Sequence, residues 1–427
     1  MELQLPKGTR DFSPEEKILR DRVVNTLKEV FELYGYAPLE TPILERFDVL
    51  ASKYAGGSEI LKETFRLKDQ GDRELGLRYD LTVPMCRYIA MNPAMKMPFK
   101  RYQIGEVFRD GPVASARYRQ FTQCDVDVIG SSSMAADAEI VSLIYMAFCK
   151  LNLEVNVKVN SRKLLNDILD YCGVEKEKQE AVILSIDKLE KFGVDVVKNE
   201  LKQQRIEEKK ISTLLSLIAI SGSNEEKTSQ LKKFLKNSEG LKEIEEILSY
   251  LKNIDIEADF DVSLARGLAY YTGTVMETFL MNGSIKSAVC AGGRYDRMIG
   301  NFLGKEGYPA VGISFGVDRI YDVLLEKEQM AKKTNTKVYI IPIKTISESI
   351  KIAMQLRDAG IKTDIDLNDK GPSRNLEYAN SLGIPYVLFI GKKELQENKL
   401  KLRDMKTGEE EMVEIGEAIK KIANLAS

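Results

Sequence analysis

Apolar side chains recur at intervals of three and four through Pro14–Tyr34, and that spacing predicts an amphipathic helix. Ser13 stands ahead of Pro14, Glu15 and Glu16 as its N-cap, and Gly35 is a natural stop. The run holding Pro38, Thr41 and Pro42 suits extended backbone or an edge strand. Thr64–Leu67, Leu75–Tyr79, Arg101–Phe108 and Gln120–Ile129 read as strands, several of them separated by Gly and Asp, and Asp137–Leu151 reads as a helix. Strands followed by a helix, without steady β-α-β alternation, predict an α+β core built on an antiparallel sheet.

From about Lys163 to Asn253 the pattern changes to Lys/Glu/Leu-rich helical spacing with almost no strand signal. Either this is a helical insertion or it belongs to one continuous α+β domain. β-like patterning with glycine clusters returns over Asp261–Leu280 and Ser287–Cys290. Lys332–Thr336 reads as a linker. Beyond it, Val338–Pro342, Lys362–Asp366 and Tyr386–Gly391 read as strands alternating with helices at Ile346–Gly360 and Leu376–Leu382, which predicts a small α/β domain of about 90 residues.

Composition changes the picture mainly through one absence. The 427 residues include no histidine, so Ser-His-Asp triads, Cys-His pairs and histidine metal ligands are excluded. Acid–base work must fall to carboxylates, Lys, Tyr, Cys or the substrate. With 63 Lys+Arg against 65 Asp+Glu, the net charge of −2 gives no global attraction to nucleic acid, so such a partner needs a locally basic surface. The five cysteines form no C-x-x-C pair and no signal-peptide pattern is present, so a reducing cytoplasm is expected, with no metal site. Apolar runs are too short to span a bilayer.

Five constellations could carry chemistry. Phe108–Pro112 followed by Arg117–Phe121 would gather guanidinium groups on a hairpin, either as a polyphosphate grip or as a solvated cationic face. Gln123, Asp125 and Asp127 alternate on one strand, so they share a face that either meets water or lines a pocket. Leu264–Gly273 sets Arg266 beside glycine, ahead of Tyr270, Tyr271 and Thr272-Gly273. Ala291–Asp296 and Gly312–Arg319 are further glycine clusters. None is a Walker A or a Rossmann fingerprint.

Together and in this order, with Pro6–Phe12, Leu77–Pro84 and Lys401–Met405, these segments resemble the histidyl-tRNA synthetases, a family of class II aminoacyl-tRNA synthetases, over essentially the whole chain. The resemblance implies an α+β class II catalytic core with an antiparallel sheet at 1–162 and 259–330. It also implies an inserted helical domain at 163–258 and a C-terminal α/β anticodon-binding domain at 331–427. It implies a cytoplasmic homodimer, with Pro42 at the interface, that uses ATP with Mg²⁺ to join L-histidine to tRNA(His). By the same resemblance Arg109 and Arg266 face the α-phosphate and Arg319 the γ-phosphate end of ATP, while Arg117 sits where the loop returns to ATP. Asp80, Thr82 and Gln123 hold the amino acid, and Asp127 with Tyr271, beside Tyr270, recognises the imidazole.

Two departures stand out. Ala269 replaces an aspartate usual in the family, and Ala114-Ser115-Ala116 replaces a lysine and a glycine before Arg117. They keep open a second reading, a catalytically weakened paralogue that senses histidine or tRNA or regulates histidine biosynthesis. A third reading, a phosphate-binding metabolic enzyme without RNA, is disfavoured by the combination of motifs. Under the leading reading the missing histidine gains a meaning: such a chain can be synthesised when histidine is scarce. A variant bearing surface histidines is then expected to accumulate more slowly than the parent during histidine starvation; equal accumulation, measured by pulse labelling, counts against the idea.

Overall fold

The computed structural model describes residues 3–52, 59–113, 117–267, 270–282, 285–305, 307–327 and 332–424. The chain forms two compact units, one from residues up to Arg10 with Arg22–Glu326, the other from Asp11–Asp21 with the chain from Lys327. The Pro14–Leu33 helix starts at a reciprocal cap: the Glu16 N–H donates to Ser13 Oγ (3.3 Å) and the Ser13 N–H to the Glu16 carboxylate (2.7 Å). Gly35, just past its end, adopts a φ of +76°.

The first unit is organised by an eight-stranded sheet. Its order is Ala37–Pro38, Phe99–Phe108, Gln120–Ile129, Ala310–Gly316, Cys290–Arg294, Thr274–Leu280, Val155–Ser161 and Asp259–Phe260. Neighbours run antiparallel except at the two edges, where Ala37 pairs with Arg101 and Lys158 with Asp259 in parallel. The Pro38 run therefore lies on an edge, where a missing N–H costs the ladder least.

Strand alternation sorts the sheet into an apolar and a polar face. Cys124 pairs with Phe315, and the rings of Phe31 and Phe148 lie 5.6 and 5.8 Å from the Phe315 ring. Phe31 comes from the first helix and Phe148 from the Met134–Lys150 helix. Each of these fully buried rings contributes on the order of 1.5–3 kcal/mol. Gln123, Asp125 and Asp127 belong to the opposite set.

Seven helices from Arg162–Tyr171 to Glu239–Lys252 follow without a strand among the described residues. Their apolar faces share a core that includes Leu164, Ile183, Val197, Leu214 and Ile244 and extends onto Phe260, Val262 and Ala265. The helical stretch thus packs against the segment leading into Arg266.

The strand expected over Asp261–Leu280 begins only at Thr274. Asp261 turns the chain first, its carboxylate accepting from the Ser263 N–H (3.0 Å) and hydroxyl (2.6 Å). The Thr82–Met91 helix was not announced by any periodicity; Asp80 tethers its first turn by accepting the Val83 N–H at 2.9 Å.

The second unit has a five-stranded sheet ordered Thr363–Ile365, Val338–Ile343, Tyr386–Gly391, Leu400–Asp404 and Glu410–Val413. The first three are parallel and the last two return antiparallel. Val338, Ile340 and Leu388 face one core with the Ile346–Asp358 and Ile415–Asn424 helices, while Tyr339, Ile341 and Val387 face another. Burial on both sides explains why these strands read as unbroken apolar runs.

One buried ion pair locks the large sheet to its covering helix. Arg294 bonds Asp137 and also donates to the Ser131 (2.8 Å) and Ser133 (3.3 Å) carbonyls, and both side chains are almost wholly buried. Asp137→Ala removes the buried carboxylate from that guanidinium, leaving only the more exposed Asp296 at 3.5 Å, and is expected to cost about 3 kcal/mol. Urea unfolding checks it through a lowered midpoint at unchanged slope.

Candidate active site

A cavity of about 210 Å³ opens on the polar face of the large sheet. Its floor is set by register. Asp127 pairs with Gly312 and Asp125 with Ser314, and Ser314 pairs with Ala291 on the next strand. A Cβ on Gly312 would stand 1.9 Å from Asp127 Oδ1, so the absence of a side chain there is what leaves room for the carboxylate. Asp80 and Thr82 enter from the start of the Thr82–Met91 helix, Arg109 from the end of the Phe99–Phe108 strand, and Arg266, Tyr270 and Tyr271 from the loop before Thr274.

One end of the cavity is rich in unmet acceptors. The Tyr295 hydroxyl donates to Asp127 Oδ1. Arg101 Nη2 lies 2.6 Å from Asp127 Oδ2, but this ion contact lacks hydrogen-bond alignment, so Oδ2 has no hydrogen-bond donor among the described residues. Gln123 Nε2 donates to Ser314 Oγ at 3.1 Å, while Gln123 Oε1 and Asp125 Oδ1 are buried without a partner among the described residues. Unmet buried acceptors are costly and call for a ligand rich in N–H donors. Burial pushes the Asp125 carboxyl up to about 7; Arg101 opposes this and Asp127 adds to it. Burial also raises Asp127, with Arg101 and the Tyr295 hydrogen bond opposing.

The other end is cationic. The Arg109 guanidinium stacks 4.2 Å from the Tyr79 ring centroid and 4.9 Å from that of Phe121. Arg266 pairs with Glu277 at 2.6 Å and lies 5.5 Å from the Tyr271 ring. Arg319 donates to the Ala288 carbonyl, and burial followed by repulsion from Arg109 and, more weakly, Arg266 holds it below the ordinary arginine value. Cations that repel one another in a half-dry site favour a polyanion.

Of the residues singled out from sequence, Asp80, Thr82, Arg109, Gln123, Asp127, Arg266, Tyr270 and Tyr271 line the cavity together. Arg319 lies close behind the cationic end without lining it. Arg117 is half exposed and paired with Glu63 at 2.9 Å, outside the cavity. The divergent Ala269 and Ala114–Ala116 lie outside the described residues. Tyr79, Asp125, Tyr295 and Ser314 line the cavity as well, and Arg101 stands behind it. Asp125 was visible as a member of the polar strand face. Tyr295 and Ser314 fall within the glycine clusters Ala291–Asp296 and Gly312–Arg319 but carried no role there, and Arg101 reaches the site only through strand pairing, which no local pattern discloses.

The family model for histidyl-tRNA synthetase matches residues 8–320, and that for the anticodon binding domain matches residues 337–425. A curated relative from Bacillus cereus, histidine–tRNA ligase 1, is 44% identical over 418 residues, covering 96% of this chain and 97% of the relative. The crystal structure of histidyl-tRNA synthetase from Nostoc sp. PCC 7120 superposes with a TM-score of 0.89 at 30% identity, over 99% of each chain. The apo S. aureus histidyl-tRNA synthetase shares the fold at a TM-score of 0.72 and 24% identity, over 99% of this chain and 100% of that one. A sheet with acceptors at one end and guanidinium groups at the other thus sits in a chain that aligns end to end with these enzymes, and the chain belongs to the histidyl-tRNA synthetase family.

Proposed function

We infer that this chain is a histidine–tRNA ligase, an aminoacyl-tRNA synthetase that activates L-histidine with ATP and transfers it to tRNA(His). The observation that carries the reading is one cavity in which Gln123 and Asp125, each with an acceptor unmet among the described residues, lie with Asp127 opposite Arg109 and Arg266. In the first step a carboxylate oxygen of histidine attacks the α-phosphorus of ATP in line, and pyrophosphate leaves. Arg109 and Arg266 offset the charge that builds on phosphorus, and Arg319 holds the γ-phosphate end. Asp80, Thr82, Gln123 and Asp125 hold the α-amino group, while Asp127, Tyr270 and Tyr271 face the imidazole. In the second step the 3′-terminal adenosine hydroxyl of tRNA attacks the acyl carbon and AMP leaves. No protein histidine is needed in either step.

Mg²⁺ supplies further charge neutralisation when it accompanies the triphosphate. Among the described residues no group of three or more Cys, Asp or Glu could hold a metal. That donor set fits an ion carried mainly by phosphates and water. In this reading residues 1–162 and 259–330 are the catalytic core, 163–258 a helical insertion, and 331–427 the part that reads the anticodon. Exposed Pro42, Ile43, Leu44 and Met91 support a homodimer interface near Pro42. No helix among the described residues is long and apolar enough to cross a membrane, and cytoplasmic placement follows from the proposed role in translation. Arg117 would serve ATP only after releasing Glu63. The weakened-paralogue alternative rests on Ala269 and Ala114–Ala116 and is separated by the same assay.

The parent chain is expected to support histidine-dependent ATP–pyrophosphate exchange and to charge tRNA(His). Arg109→Gln slows exchange about 10²- to 10³-fold with histidine binding retained. A parent chain silent in exchange overturns the ligase reading.

Asp125 links function to stability. Without ligand, its raised carboxyl value means that the protonated form favours the fold; this contribution is full below the ordinary value near 3.8 and is lost as pH rises through about 7. Asp125→Asn, which cannot ionise, is therefore expected to raise Tm near pH 8 more than near pH 5, while weakening histidine binding. Thermal melts at both pH values, with and without histidine, check both halves.

A further inference from the structure

Behind the acceptor end of the site stands a charge that the two reaction steps leave unused. Arg101 is completely buried (0% exposed) in the Phe99–Phe108 strand, whose register places it beside Asp127, and Gln103 beside Asp125. Its Nη2 is 2.6 Å from Asp127 Oδ2, yet Nε, Nη1 and Nη2 all lack a hydrogen-bond acceptor among the described residues. Arginines that serve the architecture here spend their donors on carbonyls. Arg294 bonds those of Ser131 and Ser133, and Arg78 those of Thr41 and Glu106. Arg101 spends none, and it does not line the cavity, whereas Asp125 and Asp127 do.

We propose that Arg101 is the positioning residue of amino-acid recognition: through Asp127, it keeps a carboxylate ionised and aimed so that it accepts the imidazole N–H of histidine. The proposal rests on the ligase reading above. Two buried carboxylates two residues apart on one strand face repel each other, and without a nearby cation one of them takes up a proton. A protonated Asp127 would offer the imidazole a donor where an acceptor is needed. A guanidinium suits the task because it does not lose its proton on burial, as an amine can. A carboxylate already balanced by Arg101 also gains little from a second cation, so the pocket selects neutral imidazole over imidazolium. Arg101 is faced by Asp125, Asp127, Tyr295 and Cys86, and Asp127 by Arg101, Tyr295, Asp80 and Tyr36. Burial holds the Tyr295 and Tyr36 phenols above their ordinary values, so neither phenol accounts for changes below pH 9.

The test compares the parent with Arg101→Gln in histidine-dependent exchange from about pH 6.5 to 9. The variant is expected to raise KM for histidine about tenfold at neutral pH with KM for ATP near that of the parent. The ratio of variant to parent KM then falls as pH rises and the carboxylates ionise unaided. Above about pH 7.5 free histidine carries a neutral imidazole in both assays, so the fall of the ratio there reports the pocket carboxylates. A ratio flat in pH, or a loss of kcat without a change in histidine KM, overturns the proposal.

A second measurement needs no variant, so it holds even if Arg101→Gln fails to fold. The chain has no histidine, so the imidazole signals of bound ¹⁵N-labelled L-histidine are read without background. Bound imidazole is expected to stay neutral below its ordinary value of about 6.5. A bound imidazole that keeps its proton above that value overturns the proposal. A parent chain that neither binds nor activates histidine overturns the ligase reading instead, so the two failures are distinguishable.

Discussion

The site depends on the register of one strand. Gln120–Ile129 lies between Phe99–Phe108 and Ala310–Gly316, and its pairing puts Asp127 beside Arg101 on one side and Gly312 on the other. A slip of one residue would turn Cys124 and Val126 toward the cavity and drive the carboxylates into the layer around Phe315. That layer holds the register: the tilted, fully buried rings of Phe31, Phe148 and Phe315 bury too much apolar surface for the strand to turn over. Hydrophobic packing on one face thus positions charges on the other. The tolerance is tight, because any side chain at position 312 would occupy the space of the Asp127 carboxylate.

The separation of charge along the cavity gives the second layer of organisation. Arg101 and Asp127 form a buried pair at the acceptor end, and Arg266 and Glu277 form a half-buried pair toward the cationic end. Arg109 is held by aromatic stacking, with the Tyr79 carbonyl 3.4 Å from its Nε. Among the described residues no carboxylate pairs with it, which suits a group meant to meet phosphate. Asp125 likewise has an oxygen without a partner among the described residues. Both arrangements cost stability in the free protein and are offset elsewhere, as by the Arg294–Asp137 lock and the shared helical core that runs to Ala265 beside Arg266.

Much of this was legible in the sequence, and the reasons differ from element to element. The Gln120–Ile129 strand and the common face of Gln123, Asp125 and Asp127 follow from period-two alternation alone. The helical stretch was legible from its spacing, and the unbroken apolar strands of the second unit from their double burial. The Thr82–Met91 helix was not, since its N-cap position holds Leu81, which makes no side-chain cap, and the Val83 N–H is met instead by Asp80 one residue earlier. Within Ala291–Asp296, adjacent residues do unrelated work: Arg294 anchors a helix and Tyr295 bonds Asp127. Spacing cannot separate such roles. Arg101 was read as part of a strand, but its partner lies 26 positions on in sequence, and only the antiparallel ladder joins them.

The absence of histidine bears on how the site can work. In most proteins imidazole groups titrate between pH 5 and 8 and mask other events there. Here, with none in the chain, a buried carboxylate such as Asp125 and whatever ligand enters can change charge in that interval without an imidazole background. A ligand imidazole therefore meets no competing imidazole inside the cavity, and its protonation is set by the carboxylates and by the cation behind them. Replacing Asp127 with a neutral acceptor would keep a hydrogen-bond partner for the N–H but leave Arg101 buried without its counter-charge. Recognition and stability would then fail together, which is the expected cost when a buried charge pair sits directly behind a specificity contact.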